Sequence, residues 1–146
     1  MHSEHLTNVH PGWAAVGWVV AVAVTAVFHL AFIGTGLVPP GIPEHIAVVL
    51  AVLVGFFAGG FFVGMRWSDA PILNGAAIAL ISLILWFVSA LVAPPDLGTR
   101  LGLDDTVLLL GSVLAQLAAA IAGALAGRSV VLRGQVPDPA AMPPEA

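Results

Sequence analysis

Four long apolar runs constrain this chain more than any other feature of its sequence. They cover residues 13–37, 45–65, 71–93 and 106–129. A helix needs about 20 mainly apolar residues to span the ~30 Å hydrocarbon core of a bilayer, and each run meets that length. Backbone groups within lipid must be hydrogen-bonded inside their own segment, so each run is predicted to be a helix. We therefore expect an all-α, polytopic membrane protein, a four-transmembrane-helix bundle with short loops.

The composition agrees with this fold class and excludes others. Of the 146 residues, 60% are hydrophobic and 8% are charged, whereas soluble domains carry about 25% charged residues. A soluble domain of this length could not bury so much apolar surface. The four basic residues are scattered rather than clustered, which argues against nucleic acid as a partner. The expected partner is the lipid bilayer.

The remaining segments are short. Residues 1–12 are predicted to be a polar N-terminal tail, 13–132 the transmembrane domain, and 133–146 a disordered Pro-rich C-terminal tail. The first apolar run has no basic segment before it and is longer than the apolar part of a signal peptide, so we expect a retained helix. His2, His5 and His10 are interpreted as part of the flexible tail, and no metal site is predicted.

The arginines predict an orientation. Arg66 follows the second run, Arg128 lies at the end of the fourth and Arg133 follows it, so all three fall on one side of a four-span bundle, with Arg100 alone on the other. Basic residues are enriched in cytoplasmic loops, which predicts that both termini are cytoplasmic. The Ala-, Gly- and Val-rich composition, with Arg in place of Lys, suggests a bacterium, and hence its inner membrane.

Small residues recur at four-residue spacing in the second and fourth runs. In lipid, small side chains let helix backbones approach closely, which replaces the missing hydrophobic drive for association. Two interpretations remain open: packing within the bundle, or a face for another subunit or a second copy. The predicted helix-packing positions are Gly55, Gly59, Gly60, Gly64, Ala115, Ala119, Gly123 and Gly127.

A short part of the chain resembles a known group of proteins. Gly59-Gly60, then Gly64-Met65-Arg66, then Asn74-Gly75 resemble the second hairpin of the YrzE-like proteins, uncharacterised small four-helix membrane proteins of bacteria. That hairpin often contains Gly-Gly, a Gly-Arg turn and His-Gly. In this chain Asn74 stands in place of the His, and Met65 separates Gly64 from Arg66. The resemblance implies four helices and no particular activity.

Few polar residues lie within the apolar runs, and His29 is the only ionisable one well inside a run. Its imidazole is expected to hydrogen-bond across helices, with Gln116 and Ser112 as neighbours at similar depth. The alternatives are ligation of a tetrapyrrole such as haem or a chlorin, and proton or metal handling. Asn74 is expected to face Gly60 and Gly64 across the second hairpin. The predicted intramembrane polar residues are Thr25, His29, Asn74, Ser112 and Gln116.

These features favour a non-catalytic role. No Asp, Glu, Lys or Arg lies in the interior of a predicted span, although ion-coupled transporters need such groups. The sequence shows no nucleophile–base pair and no paired carboxylates, which argues against an enzyme. We expect an accessory or scaffold subunit that packs through its Gly/Ala faces against other membrane subunits or itself, with no cofactor. The alternatives are a tetrapyrrole- or lipid-binding subunit that uses His29, and a small oligomeric pore.

Overall fold

A computed structural model describes residues 5–36, 44–66, 69–92 and 106–134 of the chain. The regular secondary structure in these ranges is all helical: a short 3-10 turn at Leu6–Asn8, then four long helices. The predicted loops around residues 38–44 and 93–98, Arg100, and the tail from residue 135 lie outside the described residues. The four helices are α1 (Pro11–Gly34), α2 (Glu44–Arg66), α3 (Pro71–Val92) and α4 (Thr106–Gly134).

The helices begin and end at residues that suit those positions. Pro11 and Pro71 each open a helix, where the missing proline N–H would have had no partner inside the helix. At the end of α1 the Thr35 N–H donates to the Ala31 carbonyl at 3.0 Å, and Gly36 follows with φ +62°. This left-handed residue stops the helix at little steric cost because glycine has no Cβ.

Two predicted helix limits need correction. Helix α1 begins at Pro11 rather than Trp13, and α4 continues to Gly134 rather than ending near Ser129. The predicted polar tail is also partly structured, since Val9 and His10 are half-buried. Both extensions continue helices that the apolar runs already define. Pro11 suits the first turn of a helix, and α4 is extended by the apolar residues Val130, Val131 and Leu132.

All four helices are long and apolar enough to cross a membrane. Helix α2 is the most enclosed: 39% of its most apolar 18-residue window is buried, against 11%, 22% and 28% for α1, α3 and α4. It contacts all three other helices, whereas α1 and α4 lie on opposite sides of it and hardly touch. Many large apolar side chains face outwards, with Leu30 68% and Leu91 71% exposed. Such a surface is unsuited to water.

The three arginines among the described residues, Arg66, Arg128 and Arg133, lie at one end of the bundle. There Arg66 lies over the Trp13 ring, 5.5 Å from its centroid, and Trp13 also packs on Phe62 with ring centroids 6.2 Å apart. Gly127, near the end of α4, is close to the Met65 backbone. Helix α1 therefore begins, and α4 ends, at the same end of the bundle as Arg66. This end is called the Arg end below, and the opposite one the Gly36 end.

Candidate functional site

The first glycine seam joins α1 and α2. A methyl group added at Gly59 would lie 2.9 Å from the Ala21 Cβ, and one at Gly55 would overlap the Ala21 carbonyl and Thr25. From the other side, a methyl at Gly17 would meet Val63 and Ile78. Both α2 glycines are buried. They allow the two backbones to touch, which is the role that small residues play in membrane helix pairs.

The second glycine seam joins α2 and α4 through the opposite side of α2. Gly60 lies against the Ala120 backbone, and Gly64 against the Ala124 backbone. Reciprocally, a methyl at Gly123 would lie 2.8 Å from the Phe61 nitrogen, and one at Gly127 would lie 2.8 Å from the Met65 nitrogen. Glycines from each helix thus fit against the other helix's backbone, so this seam has no room for a side chain at these positions.

The expectation that Gly60 and Gly64 face Asn74 is wrong. Their nearest neighbours belong to α4, because α2 packs far more extensively on α4 than on α3. Helix α3 meets α4 separately, where Gly75 lies close to Ala120 and to the Ile121 Cα. Consecutive helices joined by a short turn need not form the tightest pair in a bundle.

The small residues of α4 divide between two faces. Ala119 is at the edge of burial, with 9% exposed, and Ala115 is half-buried. Ala120 and Ala124, which the sequence pattern did not single out, are fully buried. A second set of small residues, which includes Ala115, faces away from the bundle. Its members recur at four- and three-residue spacing and are exposed or half-buried. This set is called the outer stripe and consists of Gly111, Ala115, Ala118, Ala122, Ala126 and Ser129.

Asn74 is fully buried near the Arg end and connects α1 to α3. Its Oδ1 accepts a hydrogen bond from the His10 backbone N–H at 3.3 Å. Its Nδ2 donates to the Ala70 carbonyl at 3.0 Å, in its own helix. The amide thereby satisfies one of the free N–H groups at the start of α1. Asn74 is a structural link rather than an open ligand site.

Two further polar contacts lie deeper in the bundle. The Thr25 hydroxyl donates to the Ala21 carbonyl at 2.8 Å, so its donor is used within its own helix. The Trp18 Nε1–H donates to the Ser82 hydroxyl at 3.1 Å, which joins α1 to α3. Polar contacts of this kind between apolar helices contribute about 0.6 kcal/mol each. The Trp18–Ser82 bond therefore contributes to the packing of α1 on α3, whereas the Thr25 bond stays within α1.

His29 differs from all of these residues. Its ring is half-buried, and its Nδ1 is buried without a hydrogen-bond partner among the described residues. Neither Gln116 nor Ser112 reaches that atom, although both are half-buried. The reason is lateral position: His29 is on α1 and both candidates are on α4, and these helices lie on opposite sides of α2. Similar depth alone does not bring two residues together.

Within the described part of the chain, no group of three or more His, Asp or Glu side chains is placed to hold a metal ion. His5 and His10 belong to that part, and His2 does not. Gly17, Ala120 and Ala124 are the positions that the sequence reading missed. The seam residues are small like their neighbours, so periodicity alone did not distinguish them.

The chain was also compared with known proteins. No protein-family model matches it, and neither does any curated protein or any solved structure. The resemblance to the YrzE-like proteins thus stays a prediction that rests on the residues of the second hairpin.

Proposed function

We propose that the chain is a non-catalytic integral membrane protein that serves as an accessory or scaffold subunit, associating with other membrane subunits or with a second copy. Insertion into a bilayer is supported by four helices of spanning length and hydropathy. It is also supported by the exposed leucines, valines and isoleucines on every helix. Lipid is the environment in which such a surface costs nothing.

The outer stripe of α4 is the observation that carries the association. The glycine seams of α2 are occupied by α1 and α4, so they are not free for a partner. The outer stripe keeps small side chains in register over five turns, facing away from the bundle. Its one hydroxyl, that of Ser129, donates back to the Ala126 carbonyl at 2.7 Å. The stripe thus offers a smooth surface on which another helix can pack closely.

Bulky substitution on the outer stripe tests this role. In mild detergent, the wild-type chain should run as a particle larger than one 14.9 kDa copy after subtraction of the detergent. Ala118→Leu and Ala122→Leu should reduce that mass to one copy without lowering the melting temperature. Ala23→Leu, the same change at an exposed α1 position, is the matched control and should leave the mass unchanged. A wild-type particle of a single chain, purified from its native membrane with no other polypeptide, would contradict the proposal.

We further propose that the Arg end faces the cytoplasm of a bacterial inner membrane. Three of the four arginines support this orientation under the positive-inside rule. The chain contains no cysteine, so single cysteines at two exposed sites report topology directly. Thr35→Cys, at the Gly36 end, should react with an impermeant maleimide added to intact cells, and Gly134→Cys should react only after lysis. The reverse pattern would overturn the orientation.

His29 supports a second candidate function, a tetrapyrrole-binding subunit. The supporting observation is its buried Nδ1 without a hydrogen-bond partner among the described residues, in a ring that remains partly accessible. An imidazole in an apolar environment gains from a metal or a polar partner. Absorbance of the purified native protein tests this function. A Soret or Qy band that His29→Gln abolishes would favour it over a scaffold role, and a colourless preparation would exclude it.

A further inference from the structure

An apolar groove runs along the outside of the seam between α3 and α4. It has a volume of about 430 Å³, and all of its lining residues are apolar. Three of its α3 residues follow one helix face at three- or four-residue spacing, and its α4 residues lie one turn apart. The main contributors are Val9, Ala76, Leu80, Leu83, Val113 and Leu117. The groove has the shape and chemistry for a hydrocarbon chain but offers no polar group to hold one in place.

A polar anchor exists at the Arg end of the same seam. Arg128 is half-buried, and among the described residues it makes no ion pair and no hydrogen bond. Asp69, the one acid described at this end, is exposed and is not paired with it. Arg66, by contrast, lies over Trp13 on the α1 side. A half-buried guanidinium has five N–H donors to satisfy, so it is suited to an anion.

Helix geometry places Arg128 in line with the groove. Leu117 lines the groove, and Ile121 meets Gly75 of α3. Ile121 follows Leu117 by four residues and Arg128 follows Ile121 by seven, which keeps all three on one face of α4. Eleven residues separate Leu117 from Arg128, a rise of about 16 Å along the helix. This is close to half the ~30 Å hydrocarbon thickness of a bilayer, the distance from a lipid phosphate to its chain ends.

We propose that this seam binds one anionic phospholipid, with its phosphate on the Arg128 guanidinium and an acyl chain in the α3–α4 groove. The proposal rests on the membrane insertion proposed above. Arginine binds phosphate oxygens through two parallel hydrogen bonds. Three arginines against one aspartate are described at the Arg end, namely Arg66, Arg128 and Arg133 against Asp69. That excess of positive charge selects an anionic headgroup over a zwitterionic one.

Native mass spectrometry of the delipidated full chain in detergent tests the site. Phosphatidylglycerol and phosphatidylcholine with identical acyl chains would be titrated separately. Both lipids offer a phosphate to Arg128, but the choline cation of phosphatidylcholine is repelled by the adjacent guanidinium. We therefore expect the anionic lipid to bind about tenfold more tightly. Arg128→Gln should abolish that preference, whereas Arg133→Gln, at an exposed residue further along α4, should preserve it. Equal binding of the two lipids by the wild type, or an unchanged preference in Arg128→Gln, would overturn the site.

A second variant tests the groove. Ala76→Leu fills it and should weaken both lipids while leaving the melting temperature close to that of the wild type. Glycerol phosphate, which has the headgroup but no chains, should not compete at concentrations that saturate the lipid. Competition by it would show an anion site without a groove and would overturn the proposal. A single-copy wild-type particle bears only on the scaffold role, whereas equal binding of the two lipids bears only on this site, so the two failures are distinguishable.

Discussion

The two halves of the bundle hold their helices together differently. Near the Arg end, α3 contributes the buried residues Pro71, Asn74, Gly75, Ile78 and Ala79. Toward the Gly36 end, every α3 residue from 83 to 89 is exposed. Seven consecutive residues cover all directions around a helix, so this part of α3 is enclosed by no neighbour. The change coincides with the sequence, because the small residues of α3 give way to Ile84, Leu85, Trp86 and Phe87.

The polar residues follow the same division. Near the Arg end the side chain of Asn74 bonds to two groups, and Trp18 bonds to Ser82. In the half toward the Gly36 end, His29 has a buried Nδ1 with no partner among the described residues. Close backbone approach and satisfied polar groups therefore occur together.

The largest effect is expected from disturbing the α2–α4 seam. In Gly123→Ala the new methyl group would overlap the Phe57 and Phe61 backbone, and backbone atoms cannot move aside as side chains do. We expect destabilisation of about 1–3 kcal/mol, the usual cost of overpacking. Thermal unfolding in detergent would measure it.

Gly111→Ala is the matched control on the same helix. Nothing lies within 4 Å of the added methyl group, and alanine is the better helix former by about 1 kcal/mol. We expect equal or slightly higher stability than in the wild type. If Gly123→Ala were as stable as Gly111→Ala, the α2–α4 contact would be looser than the structure indicates.

A smaller effect is expected at Asn74. Asn74→Leu removes the acceptor for the His10 N–H and the bond to the Ala70 carbonyl, which should cost about 1–2 kcal/mol. Ser89→Leu makes the same kind of change at an exposed α3 residue and should cost almost nothing. The comparison uses thermal unfolding of both variants. Similar losses in the two would show that burial of Asn74 does not decide its contribution.

The helices could be predicted from the sequence, but their neighbours could not. Run length and hydropathy define a spanning helix without reference to the rest of the fold. Which face of a helix meets which partner depends on a periodic contrast between small and large residues. In α4 all residues from 118 to 124 except Ile121 are Ala or Gly, so the pattern has no distinct phase. Ala120 and Ala124 are the buried positions because the α4 backbone can approach α2 closely only at the α2 glycines, Gly60 and Gly64.

The contact between His10 and Asn74 could not be predicted from the sequence either. These residues are 64 positions apart, and neither belongs to a recognisable motif with the other. His10 precedes the first apolar run, which is why the segment was predicted to be a free tail. The pairing follows from the position of α1 beside α3, a property of the assembled bundle rather than of any local pattern.

The smallest change in stability is expected from substituting His29, and this prediction is the most direct test of the difference between the two halves. Because Nδ1 has no partner among the described residues, His29→Leu removes no known hydrogen bond. We expect stability within about 0.5 kcal/mol of the wild type, as for an exposed position. His29→Gln should behave alike, although its amide could replace an imidazole hydrogen bond. Thermal unfolding that shows His29→Leu weakened and His29→Gln intact would reveal a bonded histidine, and the half toward the Gly36 end would then hold its helices by the same means as the other.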